Sequence, residues 1–309
     1  MGKKFKGIGC PCVTPFNEDE TLDLAGLREL VDFLINSEIN AIIPTGICGE
    51  PYSLNNEDYH SVIDTIIDQV NNAVPVYIGL PSESTHRLLE ISKYAIDAGA
   101  DGFVVYPPRL PTITIPELVN HFEYVSSKID ANLLFVNDPD LCKLDLPVDH
   151  IGRLSKLSNV VGIVEVSSDF KKIPQISAAV SDGFLVYTGR GLLVPQAIKE
   201  AGVEGAIVPS ANVVPNLLVE LFEAFNVEMN KKFEEIQTKL IPLELGLKLG
   251  TFPVAIKASL NLLGVNVGIP RRPLLPLSEG DLEKLRNILI STGCLRPSTP
   301  DEDGEDKDN

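Results

Sequence analysis

Eight apolar segments of strand type recur along the 309-residue chain, and this repetition most constrains how it can fold. Their starts lie roughly 20 to 33 residues apart, which is the length of one strand followed by one helix. They are Ile8–Val13, Ala41–Thr45, Val74–Gly79, Phe103–Tyr106, Asn132–Asn137, Val160–Val166, Phe184–Thr188 and Gly205–Pro209. Eight successive units predict an α/β fold, a (β/α)8 TIM barrel. An open doubly wound sheet is the alternative, but it requires a glycine-rich phosphate-binding turn, and CPCVTPF after the first strand is not one.

Helical patterns lie between these segments and continue beyond the last one. Four are predicted inside the barrel, at Leu24–Asn36, Glu57–Val70, Thr85–Ala98 and Pro116–Ile129. Four more follow the eighth strand, at about Pro215–Lys232, Phe233–Leu247, Pro253–Leu263 and Gly280–Ser291. The sequence therefore predicts a barrel over residues 1–230, a C-terminal helical extension over 231–295, and a disordered acidic tail over 296–309.

The acidic composition limits the partners that this chain can have. Its net charge is −17 and its isoelectric point is about 4.6, so nucleic acid and anionic membranes would be repelled. No segment approaches 18 consecutive apolar residues, and the N-terminus lacks the apolar core of a secretory signal. Five cysteines, an odd number at low density, are typical of a reducing compartment. We expect a cytoplasmic protein without a membrane span.

The residues that commonly bind metals are not arranged as a site. The four histidines, His60, His86, His121 and His150, fall in or beside helical stretches and do not pair at ligand spacing. Cys10-Pro-Cys12 has no second cysteine pair, and packing as small apolar residues explains it better. We therefore expect no metal and no cofactor.

A series of short motifs connects the chain to a known family. They are Val13-Thr-Pro-Phe16, Gly46-Ile-Cys-Gly-Glu50, Asn137-Asp-Pro139, Gly205–Asn212, Pro253–Gly264 and Pro270–Leu277. In this order and at these spacings, the chain resembles the family of dihydrodipicolinate synthase and N-acetylneuraminate lyase over roughly residues 5–293. The resemblance implies a barrel enzyme of the lyase or aldolase type and a homotetramer built from dimers.

The chemical positions of that family are occupied by other residues here. In the family, a lysine on the sixth strand forms a Schiff base with a 2-oxo acid, and the corresponding residue is Val164. The family's two threonines correspond to Ile47 and Cys48, and its tyrosine before Asn-x-Pro corresponds to Val136. The arginine after that proline is Leu141. Because valine has no amine, it cannot form an imine.

The side chains predicted at the mouth of the barrel form the candidate binding site. The predicted substrate-binding residues are Ile47, Cys48, Arg109, Val136, Asn137, Val164, Arg190 and Ile207. Arg109 aligns with a family aromatic residue in the fourth loop, and Arg190 aligns with the acid of Gly-Asp after the seventh strand. Two arginines there can bind a carboxylate or a phosphate. The alternative is that each pairs with a neighbouring acid.

Other groups near the predicted mouth have two interpretations each. Cys48 is either a nucleophile activated beside a helix start or a packed thiol. Glu165 is a candidate base, but strand alternation turns it away from the side of Val164. A relocated amine would have to come from Lys143, Lys171 or Lys172, each of which is also a typical surface lysine. Lys257 matches a family position that is structural.

Two hypotheses for the function follow. The first is a divergent lyase or aldolase relative that binds a small 2-oxo acid or carboxylate and polarises it with arginines instead of forming an imine. The second is a catalytically inactive family member that acts as a ligand-binding or scaffold protein. Fold alone does not decide between them, because function depends on the site.

Overall fold

The computed structural model describes residues 2–81, 84–110 and 112–297. In this part of the chain, eight parallel strands form one sheet. The strands are β1 Gly7–Cys10, β2 Ala41–Ile42, β3 Tyr77–Leu80, β4 Gly102–Val105, β5 Asn132–Asn137, β6 Val160–Glu165, β7 Leu185–Thr188 and β8 Gly205–Ile207. Each overlaps one of the predicted apolar segments.

The sheet curves round until its first and last strands meet. Strand β1 pairs with β2 on one side and with β8 on the other, which gives the order 2-1-8-7-6-5-4-3. Between β2 and β3 the connection is a single bridge from Ile42 to Val76. The predicted (β/α)8 barrel is therefore confirmed. The open sheet is wrong, because its first and last strands would not pair.

Alternation along the strands separates two apolar cores. On β6, Val164 lies inside the barrel, where it packs with residues of the same cluster such as Val136, Tyr187 and Ile207. Its neighbour Ile163 belongs to the larger core between the strands and the surrounding helices. Successive side chains point to opposite faces of a strand, so a residue's position in the strand decides which core it enters.

Helices lie between the strands and after the last strand. In the described residues they are α1 Leu24–Asn36, α2 Asn56–Val70, α3 Thr85–Ala98, α4 Ile115–Lys128, α5 Pro139–Cys142, α6 Val148–Leu154, α7 Lys172–Ala179, α8 Val194–Gln196, α9 Pro215–Asn226, α10 Asn230–Gly246, α11 Val254–Leu262 and α12 Glu279–Ser291. Both α2 and α4 begin with a capping box, formed by Asn55 with Asp58 and by Thr114 with Glu117. Each box satisfies backbone N–H groups that the first helical turn leaves without partners.

One predicted helix boundary is wrong. A single helix was expected from about Pro215 to Lys232, but α9 ends at Asn226 and α10 begins at Asn230. Between them Glu228 has a φ of +59°, which a right-handed helix cannot include. Met229 N–H then donates to Ala224 O at 2.8 Å and closes the turn. Hydrophobic periodicity does not reveal such a break, because apolar residues continue across it.

Helices α11 and α12 pack on one another, and α10 packs on both α9 and α12. The division of the chain at residue 230 stays a prediction. Residues 298–309, nearly all of the predicted acidic tail, lie outside the described residues. No helix in the described part of the chain has the length and apolar character needed to cross a membrane.

A buried ionic network ties the loop after β2 to the C-terminal helices. The carboxylate of Glu50 is fully buried and accepts a hydrogen bond from Lys257 Nζ on α11 at 2.7 Å. Its second oxygen accepts from the backbone N–H of Arg271 at 2.8 Å. The Arg271 guanidinium in turn binds Asp58 at 2.7 Å. Burial lowers the pKa of Lys257 to about 8, which Glu50 partly opposes.

Removing one member of this network should be costly. We expect Lys257→Met to lower the free energy of unfolding by about 3–5 kcal/mol, because it leaves the Glu50 carboxylate buried without its cation. Urea denaturation measures the loss. Lys284→Met is the matched control, since Lys284 is exposed and pairs with Asp281 on the surface of α12 at 2.8 Å. That control should lose less than about 1 kcal/mol. Equal small losses in both variants would contradict a structural role for the buried pair.

Candidate binding site at the barrel mouth

The carboxyl ends of the strands meet at one end of the barrel, and apolar side chains close the floor there. Val164 is 3% exposed and Val136 is 2% exposed. With Tyr106 and Ile207 they surround a cavity of about 30 Å³, close to the volume of one water molecule. Burial raises the pKa of the Tyr106 phenol well above its usual range. The floor thus offers almost no room and little polar surface.

A larger pocket of about 610 Å³ lies at the same end of the barrel. Its lining residues are Ile47, Pro51, Tyr52, Pro81, Arg109, Asp138, Asp140, Leu141, Thr251, Phe252 and Leu274. Ile47 and Asp138 line both cavities, so the small cavity adjoins the large one. The volume is typical of a site for a small molecule. Loops after β2, β3, β4 and β5 form most of the wall, and residues on either side of α11 complete it.

Arg109 lies on the loop after β4 and lines the larger pocket. Its guanidinium carbon stands 5.8 Å from the centroid of the Tyr52 ring, a cation–π contact. Within the described residues it forms no ion pair with a carboxylate. Among the described residues, Arg109 is therefore a cation that lines the pocket and is not held in an ion pair.

Arg190, the other predicted arginine, has a protein partner. Its Nη1 donates to Asp140 Oδ2 at 3.1 Å, and the side chain is 29% exposed. Asp140 lies at the start of α5 and lines the large pocket, so the pair stands at its rim. The alternative in which an arginine pairs with a neighbouring acid therefore describes Arg190, and the two predicted arginines differ.

Cys48 and Asn137 do not face the mouth. Cys48 is fully buried in the outer core, and burial raises the pKa of its thiol well above the usual value. The packed interpretation of Cys48 therefore fits, because a reactive thiol needs a lowered pKa and access. Asn137, at the end of β5, donates to Asp145 at 2.8 Å and to Glu165 at 2.9 Å and accepts from Leu146 N–H at 3.0 Å.

Glu165 belongs to the same outward-facing network, as its position next to Val164 predicts. It accepts from Ser167 N–H at 2.8 Å and lies 3.7 Å from Lys172 Nζ. Lys172 also binds Asp145 and is buried, so it is not the surface lysine that the sequence indicated. Lys172, the first residue of α7, is buried on the outer side of the strands because it lies between two acids, Asp145 and Glu165. Burial raises the pKa of Glu165, and Lys172 lowers it.

Asp138 was missed by the sequence reasoning and lies at the junction of the two cavities. It is the first residue after β5 and is 6% exposed. Burial raises the pKa of its carboxyl, and hydrogen bonds from Leu141 and Asp140 oppose this. A signal was present: an acid directly after a buried strand lies at the barrel mouth.

The eight predicted binding residues thus fall into three groups. Ile47, Arg109, Val136, Val164 and Ile207 line the two cavities. Arg190 stands at the rim, and Cys48 and Asn137 point elsewhere. Their roles in binding a substrate stay a prediction.

Comparisons with known proteins agree with this architecture. Residues 4–292 match the model of the dihydrodipicolinate synthetase family. The chain belongs to this family. The 4-hydroxy-tetrahydrodipicolinate synthase of Thermoanaerobacter sp. (strain X514) is 33% identical over 293 residues, which is 94% of this chain and 98% of that protein. The enzyme of the same name from Methanococcoides burtonii is 32% identical over 294 residues, 94% of this chain and 100% of that protein.

The fold of this chain is also similar to that of solved structures of the family. The crystal structure of dihydrodipicolinate synthase from Thermotoga maritima has a TM-score of 0.90 at 31% identity, and covers 95% of this chain and 100% of that one. In the described part of this family member, no group of three or more His, Cys, Asp and Glu side chains could hold a metal ion. Arginine and aspartate stand among mostly apolar side chains in the lining of the candidate site.

Arg190→Gln tests whether the rim pair matters to the fold. Because the pair is partly exposed, we expect the free energy of unfolding to fall by less than about 1 kcal/mol in urea denaturation. Asp140 is 73% exposed and can be hydrated when it loses its partner. A loss above about 2 kcal/mol would mean that the pair is a structural requirement of the mouth.

Proposed function

We propose that this family member binds a small 2-oxo acid or another small carboxylate at the barrel mouth and forms no imine with it. The observation that carries the proposal is Val164, whose buried side chain helps close the floor of the mouth. No lysine of the described residues lines either cavity. We further propose that Val164 occupies the position of the family's Schiff-base lysine, so the protein is a divergent lyase or aldolase relative.

Other partners hold the amines of Lys143, Lys172 and Lys257. Lys172 Nζ is bound to Asp145 and lies near Glu165, on the outer side of the strands. Lys143 is exposed and donates to Asp140 O at 2.8 Å. Lys257 is bound to Glu50. An imine-forming amine must be neutral and must reach the substrate carbonyl, which supports a site without covalent catalysis.

Arg109 supports carboxylate binding. A guanidinium presents a planar set of donors that matches a carboxylate, and a pocket wall of low dielectric strengthens the contact. Tyr52 beside it and Leu141, Phe252 and Leu274 around the pocket provide apolar surface for the rest of a small ligand.

Reduction with borohydride tests the absence of imine chemistry. We expect pyruvate and borohydride to leave every lysine unmodified in intact and peptide mass spectra, because no described lysine amine opens into the mouth. An imine-forming family enzyme under the same conditions is the positive control. A stable adduct on Lys143, Lys171 or Lys172 would reveal a relocated nucleophile and overturn the proposal.

Variants of the two arginines test the carboxylate site. We expect Arg109→Gln to weaken the binding of pyruvate or propanoate about tenfold or more in calorimetric titration, because it removes the unpaired cation of the pocket. Arg190→Gln is the matched control and should change affinity less than about threefold, since Arg190 is bound to Asp140. Equal affinity in wild type and Arg109→Gln would refute the role of Arg109.

A catalytically inactive binding or scaffold protein is the second candidate. The apolar floor of about 30 Å³ favours it, since the floor holds few groups that could transfer protons. Turnover of pyruvate with aldehydes, followed by NMR, separates the two candidates. On the family resemblance we also propose a cytoplasmic homotetramer built from dimers, which light scattering coupled to gel filtration tests.

A further inference from the structure

Asp138 carries a carboxylate that the fold satisfies only by half. Its Oδ1 accepts hydrogen bonds from Asp140 N–H at 3.0 Å and from Leu141 N–H at 3.1 Å, and so caps α5. Its Oδ2 has no hydrogen-bond partner among residues 2–81, 84–110 and 112–297. The residue is 6% exposed and lines both cavities of the mouth. Capping of α5 therefore accounts for the hydrogen bonds of Oδ1 and leaves Oδ2 available to a ligand in the pocket.

Asp138 Oδ2 is not among the fully buried side-chain atoms that lack a partner, so this oxygen is open to the pocket that Asp138 lines. A cation that binds an open oxygen of a mostly buried carboxylate stabilises its charged form. The neighbouring cation Arg190 is engaged by Asp140 and only weakly favours the ionised form of Asp138. Among the described residues that line the pocket, the anion Asp138 and the cation Arg109 are therefore not members of an ion pair.

These two charges stand at different depths. Asp138 directly follows β5 and borders the small cavity of the floor. Arg109 comes four residues after Val105, the end of β4, and lines only the outer pocket. The wall of the larger pocket also includes the apolar side chains of Leu141, Phe252 and Leu274. A ligand that meets both charges must therefore carry opposite charges separated by an apolar spacer.

We propose that the mouth binds an ω-amino carboxylate, with its ammonium group on Asp138 Oδ2 and its carboxylate on Arg109. This inference rests on the proposed carboxylate site at Arg109 and specifies the ligand class. The ammonium donates a charge-assisted hydrogen bond to the oxygen that the fold leaves unpaired. The methylene chain of the ligand packs on the apolar wall. A carboxylate without an amine still binds Arg109 but makes no contact with Asp138 Oδ2, so it binds less tightly than the matching amino acid.

Titration of two matched series tests the inference. The amino series is 4-aminobutanoate, 5-aminopentanoate and 6-aminohexanoate, and the control series is butanoate, pentanoate and hexanoate. We expect at least one amino acid to bind about tenfold or more tightly than its partner without the amine. Alanine should not share this advantage over propanoate, because its two charges are adjacent.

Asp138→Asn should remove the advantage. Asparagine retains a cap acceptor, so α5 is preserved while the negative charge is lost. We expect the affinity of the preferred amino acid to fall about tenfold and that of the amine-free acids to change less than about twofold. Asp23→Asn is the matched control, because Asp23 caps α1 through Gly26 N–H at 2.8 Å. This control should leave both series unchanged.

Each outcome bears on a definite part of the assignment. Equal binding of amino acids and amine-free acids, or an equal loss for both in Asp138→Asn, would overturn the inference while carboxylate binding at Arg109 stands. If alanine binds as tightly as the longer amino acids, the site does not require an apolar spacer between the two charges of its ligand, and the proposed ligand class is wrong. If no carboxylate of either series or pyruvate binds wild type, the inference and the proposed function both fail.

Discussion

The buried carboxylate of Glu50 is the interaction on which the geometry of the barrel mouth depends. A charge inside the protein is tolerated only when it is paired and hydrogen-bonded, and Glu50 meets Lys257 and the backbone of Arg271. These partners lie more than 200 residues away along the chain, at separations of 207 and 221. The network therefore fixes the loop after β2 against the C-terminal helices, and both sides of the large pocket are assembled together. Loss of this network would displace a wall of the large pocket, although Glu50, Lys257 and Arg271 do not line the pocket themselves.

The mouth divides into an apolar floor and a charged wall. Val136, Val164 and Ile207 fill the space at the strand ends, where a barrel of this kind usually places its chemistry. The polar groups stand further out, on loops, at Arg109 and on the Asp140–Arg190 pair, with Asp138 between the two regions. The apolar floor and the charged wall are therefore supplied by different parts of the fold, the floor by the strands and the wall by the loops that follow them.

Strand alternation also explains why the carboxylate of Glu165, the buried acid next to Val164, does not face the mouth. Glu165 is the next residue, so its carboxylate lies on the outer side of the barrel, with Asn137 and Lys172. There it joins the ends of β5 and β6 to α7. Polar residues at strand ends thus serve two purposes in this fold. Those that face inward are available to a ligand, and those that face outward connect strands to helices.

The sequence by itself determined the eight βα units and the inward position of Val164. These features depend on the spacing of apolar segments and on a period of two along each strand, both of which are properties of neighbouring residues. It did not determine which arginine keeps a free charge. Arg190 meets Asp140 across 50 residues, and Lys172 meets Asp145 across 27, and neither pairing can be read from a pattern. Only the closed barrel decides them, because it brings loops from different strands to one end. There the distance between side chains, and not their separation along the chain, selects the partners and leaves Arg109 and Asp138 facing the pocket.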